Sequence, residues 1–196
     1  CGHCTAPTLW RKIMNLFRKT PIKWSWSIEK SSYSMEINNA YLWSYTMWIT
    51  TIPTIQKVNI EWTLLRSHLA KMLSQYATNA LGLKENTWAN CIFNDMSIQS
   101  KEMQYYAVQA CRLGLMWVGI KNFSPEKEVD RATFGTTLSR ALYGTGNDVA
   151  GSKYYTKHLQ ALKNAGIMTK ITNPFAKELR GYVMLMLMRA VDAINK

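Results

Sequence analysis

Apolar residues recur along this chain at the three-four spacing of one-sided helices. Leu65, Leu69, Met72, Leu73, Tyr76 and Ala80 put one apolar face on a helix that opens near Leu64, with Lys71 off that face and expected in solvent. Leu81-Gly82-Leu83 ends it, because glycine accepts the left-handed cap conformation. Met103, Tyr106, Ala107, Ala110 and Cys111 repeat the spacing up to Leu113-Gly114-Leu115. Phe134, Leu138, Ala141 and Leu142 repeat it after Asp130, a residue suited to cap a helix. Between Gly144 and Ser152 the chain has the composition of a flexible linker and lacks the Gly-Lys-Ser/Thr of a phosphate-binding loop. Leu159, Leu162 and Gly166 follow. A last helix then carries Leu179, Tyr182, Val183, Met186, Leu187, Ala190 and Ile194, its methionines read as core filler.

These stretches align on two marks, the residue that ends a first helix and the arginine that opens a second. Gly114 and Arg131 are the central pair, Gly166 and Arg180 the downstream pair, and Trp48 and Arg66 the upstream pair. Units of roughly 45 to 55 residues signal a repeat architecture, in which no unit buries its apolar face alone. The expected fold is mostly α: three helix–loop–helix repeats packed as one pseudo-threefold body. The divisions are a basic N-terminal segment over 1–38 and repeats over 39–85, 86–147 and 148–196.

The central unit carries Phe93-x-Asp95, Gly114, Phe123-x-Pro125, Val129-x-Arg131-Ala132, Phe134 and Leu138. In this order the residues resemble the S-layer homology (SLH) family of bacterial surface proteins, and the resemblance covers about residues 39 to 193. It implies grooves in which Arg66, Arg131 and Arg180, with Asp95, bind an anionic wall polysaccharide. It also implies an exported protein at the cell surface or in the cell wall, with other surface-layer subunits as further candidate partners. The chain departs from the family two residues after each arginine, where His68, Thr133 and Tyr182 stand in place of an acidic residue. A guanidinium is a planar fork suited to carboxylate or phosphate, but an arginine here could equally hold the carbonyls of a neighbouring unit.

Twenty-four Lys and Arg against twelve Asp and Glu give a formal net charge of +12, which favours polyanionic partners. A basic helical nucleic-acid-binding protein is therefore the second reading. No stretch approaches the roughly twenty apolar residues a spanning helix needs. Of the four cysteines, Cys91 and Cys111 flank the first helix of the central unit. A bridge between them would suit an oxidising compartment; the alternative is two buried free thiols. Cys1-Gly2-His3-Cys4 lacks both the strand context of a redox pair and the further ligands of a zinc site, so neither metal nor cofactor is expected. The chain begins at Cys1, as a processed or truncated product would, and Leu9 to Phe17 form a basic, amphipathic stretch limited by Pro21. There is no Gly-x-Ser-x-Gly and no His-Glu-x-x-His, and the protein is not expected to be an enzyme.

Eight tryptophans are many for this length. Trp48 stands where the sister units have Gly114 and Gly166, while Trp62 and Trp117 occupy places suited to small or turn-forming residues. The indoles could fill gaps or stack on sugars. Alternatively UGA codons, read as Gly in some bacteria, have been rendered as Trp.

Overall fold

The computed structural model describes residues 31–116 and 120–195. The chain divides into two compact units, Cys1–Ser32 and Tyr33–Lys196, and the second is the one described here. The expectations for Cys1, Cys4, the basic stretch of Leu9 to Phe17 and Trp117 lie outside the described residues.

Six α-helices form the described body: α1 Met35–Thr46, α2 Arg66–Gln75, α3 Lys101–Arg112, α4 Arg131–Tyr143, α5 Thr156–Asn164 and α6 Arg180–Ile194. The fold is mostly α, with isolated β-bridges and no strand among the described residues. Helix α1 opens earlier than the expected start of the first repeat, because the Ser34 hydroxyl accepts from the Ile37 amide and fixes the N-terminus there. Ser100 and Asp130 cap α3 and α4 in the same way.

Helix α3 packs on α2, α5 on α4, and α1 on α6, so the first and last of these helices meet. At the centre, three short extended segments lead into α2, α4 and α6. The Leu64 amide donates to the Glu178 carbonyl at 3.0 Å, Glu178 to Val129 at 3.0 Å and Val129 to Leu64 at 2.8 Å, a closed ring. Each of the three residues lies two positions before an arginine. The position after each arginine is also small (Ser67, Ala132 and Gly181), and its amide donates to a loop packed closely against it, as Gly181 does to the Ile60 carbonyl at 2.9 Å. A Cβ on Gly181 would stand 2.5 Å from Ile60 Cγ2.

Leu64, Leu69, Leu73, Tyr76, Phe123, Phe134, Leu138, Leu162 and Ile167 fill the core around this ring. Two residues expected on a buried face lie outside it, Tyr182 at 55 % and Ile194 at 49 % exposure. The reason is that α6 is covered on most of its circumference, burying Met184 and Leu185 as well, so its apolar spacing does not define a single face. Lys71, expected in solvent, has a side chain 18 % exposed and donates to Glu102 at 2.8 Å across the α2–α3 contact. Burial on α2 extends past the three-four face because α3 covers its flank.

The Gly-rich stretch after α4 is built rather than loose. Gly144–Asn147 forms a 3₁₀ turn, and Asp148 accepts from Arg140 Nε at 2.9 Å and lies 3.0 Å from Nε2 of the buried His158. Composition alone misreads it, since its order comes from partners on α4 and α5. Cys91 and Cys111 are joined in a disulfide, with Cα atoms 5.9 Å apart. It ties the segment ahead of α3 to the end of that helix.

Candidate functional site

Arg66, Arg131 and Arg180 are the first residues of α2, α4 and α6. Each amide donates to a loop distant in sequence: Arg66 to Lys127 at 3.0 Å, Arg131 to Ala176 at 2.9 Å, Arg180 to Trp62 at 3.0 Å. Each guanidinium then turns onto the same loop. Arg66 Nη1 donates to the Phe123 carbonyl at 3.3 Å, Arg131 Nη1 to Asn173 at 3.2 Å and Arg180 Nη1 to Val58 at 2.8 Å. All three therefore hold a loop distant in sequence, and what distinguishes them is the rest of each fork.

Arg131 is committed to Glu178, with Nε 2.7 Å from Oε1. The Glu178 side chain is 4 % exposed, and burial pushes its carboxyl above the usual range while Arg131 pulls it back. Asp95 sits with the Arg66 loop: its two carboxylate oxygens accept the amides of Phe123 at 2.7 Å and Ser124 at 2.6 Å. Those bonds brace a turn in which Ser124 takes φ +56°. Beside this loop, Tyr154, Tyr155 and Phe175 form a run of edge-to-face aromatic contacts with Phe175 62 % exposed. The charges of Asp130 and Arg66 act on the Tyr154 phenol, which burial raises above its ordinary value.

Arg180 faces a cleft of about 210 Å³ between α2, α3, α6 and the segment after α1. Its lining combines the polar Arg180, His68, Lys71 and two threonines with apolar side chains that include Ile49, Ile52, Met103 and Met184. No carboxylate lines it. Arg180 Nη2 lies 3.2 Å from His68 Nδ1. Arginine only donates, so Nδ1 accepts and the neutral ring carries its proton on Nε2. Burial, then the Arg180 charge, holds His68 below its ordinary value of 6.5, and burial also lowers Arg180, which stays protonated at neutral pH.

The arrangement thus brings Asp95 together with Arg66, sets Arg131 against a buried glutamate, and gives Arg180 a basic cleft. His68 and Lys71 were not among the expected site residues. A signal existed for His68, because it stands two residues after Arg66, where the acidic residue of the resembled family would be. No such signal marks Lys71 or the methionines. Among the described residues no group of three His, Cys, Asp or Glu is placed to hold a metal ion, and no helix is long and apolar enough to cross a membrane. No family model matches the chain, and no curated protein matches it.

Proposed function

We propose that this protein anchors itself, or a region attached to it, to the bacterial cell envelope by binding an anionic wall polysaccharide. In this reading three SLH-type repeats pack about an approximate threefold axis and the chain is exported. The observation that carries the reading is the cleft at Arg180: its lining joins Arg180, His68 and Lys71 to apolar side chains and includes no carboxylate, Glu102 pairing with Lys71 from outside it. An acidic sugar suits such a lining, its charge meeting Arg180 and its C–H face meeting apolar side chains such as Met103 and Met184. The closed backbone ring and the pairing of α1 with α6 support three equivalent units. The disulfide supports an oxidising compartment. A formal charge of +12 would draw the protein to such a surface over a Debye length.

The test is sedimentation with purified cell walls before and after acid extraction of their secondary polysaccharide, run beside duplex DNA at matched salt. Binding that disappears on extraction and exceeds DNA binding supports anchoring. Equal binding to both, with a steep salt dependence, would replace it with the nucleic-acid reading.

A further inference from the structure

We infer that the Arg180 cleft takes up its anion together with a proton, and that His68 is the group that receives it. The inference rests on the polysaccharide reading only for the choice of ligand, a sugar carboxylate. In the free protein His68 Nδ1 accepts a hydrogen bond from Arg180 Nη2 at 3.2 Å. Protonation would convert that nitrogen to a donor and set two cations, N–H against N–H, at the same place. The contact would become repulsive and the Arg180 fork would lose a partner. A carboxylate that displaces this contact reverses the effect, because it accepts from both the imidazolium and the guanidinium. The proton therefore favours the anion, and by linkage the anion favours the proton to the same extent.

The other charges around His68 do not supply this coupling. Lys71 faces it from α2 and is tied to Glu102 of α3 at 2.8 Å, and Glu126 acts on it from the loop ahead of α4. Glu126 hydrogen-bonds Gln99 and is not among the cleft residues, so the nearest charge that can change sign of effect is the imidazole itself. The cleft position also explains how a histidine can replace an acid there. A glutamate at this position would pair permanently with Arg180, whereas a neutral imidazole accepts from it weakly and yields to a stronger acceptor.

The sign follows from the two states of His68. Its free value is held below 6.5 by burial and by Arg180, and a bound carboxylate raises it. Affinity is then constant at high pH, rises as pH falls through the bound value, and levels off below the free value. For a shift of one unit the gain is about tenfold.

The experiment is calorimetric titration of the full chain with sodium glucuronate at pH 8 and 5.5, using two buffers of different ionisation enthalpy, on the wild type, His68→Gln and Arg180→Gln. Far-UV circular dichroism checks folding. The expected result is wild-type affinity rising towards pH 5.5 with proton uptake, by up to about tenfold for a one-unit shift, a flat profile for His68→Gln, and weak binding by Arg180→Gln at both pH values. Proton NMR titration of the wild-type His68 ring with and without glucuronate gives the same answer should His68→Gln misfold: its midpoint must move up. No glucuronate binding, an unmoved midpoint, or an unchanged pH slope in folded His68→Gln overturns the inference. Cell walls separate the two readings. Wall binding without proton uptake keeps anchoring and removes the coupling, whereas proton-coupled glucuronate binding without wall binding does the reverse.

Discussion

Replacing Trp48 by Gly and by Ala separates a backbone effect from a packing effect at the end of α1. Trp48 takes φ +60°, and the glycines that end α3 and α5 take +72° at Gly114 and +71° at Gly166. The caps match bond for bond. Ile49 donates to Ser44 at 2.8 Å, Leu115 to Ala110 at 3.0 Å and Ile167 to Leu162 at 3.0 Å, with the next amide in each case sharing the same acceptor. A Cβ in this region costs roughly 1–2 kcal/mol that glycine does not incur. Against this, Trp48 is 67 % exposed, so about a third of its surface is covered. Taking a tryptophan as roughly 250 Å², that is about 80 Å², or at most ~2 kcal/mol. The two terms nearly cancel, so Trp48→Gly should leave stability almost unchanged. Trp48→Ala loses the cover and keeps the strain, and should be less stable than Trp48→Gly by about 1 kcal/mol, or roughly 2–4 °C in Tm. Urea titration of the two variants measures the gap. At an ordinary helical position the order is reversed, alanine exceeding glycine by about 1 kcal/mol. Alanine equal to or better than glycine at 48 would therefore refute the left-handed cap.

Arg131→Ala should cost about 3–5 kcal/mol, because it leaves Glu178 buried without its cation, and a denaturant titration will show it as a large fall in midpoint. Since burial raises Glu178 above its ordinary 4.5, the native state keeps that proton at a pH where the unfolded chain has released it. The contribution of Glu178 to stability therefore falls as pH rises through the window just above 4.5, and Glu178→Gln should flatten that slope in Tm measured against pH. Reducing the Cys91–Cys111 bridge, whose ends are 20 residues apart, should lower stability by about 3 kcal/mol, read as a Tm difference with and without reductant. Mass spectrometry of the exported protein should find neither thiol free.

Local patterns were legible, and the relations between them were not. The starts of α2, α4 and α6 could be read from Leu64–Arg66, Val129–Arg131 and Leu179–Arg180, because an extended residue, an arginine and an apolar run are all neighbours in sequence. The three-four spacing showed that α2 and α4 bury a face. It could not show that α2 meets α3 or that α1 meets α6, since periodicity names a buried face without naming its cover. The same blindness put Lys71 in solvent and Tyr182 in the core. The cleft was invisible for a related reason. His68, Met103 and Arg180 come from three helices, and Ile49 comes from the segment after a fourth, so no spacing within one element brings them together.

The tryptophans do not all stand alike, and the difference bears on what the gene encodes. Trp43 is partly buried, with its ring 6.3 Å from that of the buried Tyr76 in an edge-to-face contact, so this indole belongs to the packing. Trp62 is 65 % exposed, close to Trp48, and Trp88 is 94 % exposed and contributes little cover. At Trp88 exposure alone speaks against a required indole. At Trp48 exposure coincides with a backbone that the two equivalent positions give to glycine, and neither observation depends on the other. A gap-filling role asks for a covered ring, which Trp48 lacks. Sugar stacking asks for an exposed ring but gives no reason for a left-handed backbone. Decoding of UGA as glycine accounts for both, since the position would then carry the residue its cap requires. The expected result is UGA at codon 48 and UGG at codon 43, with a peptide from the native organism having the mass of glycine at position 48. UGG at codon 48, or tryptophan in that peptide, would show that this chain holds an indole in a glycine conformation by its own encoding.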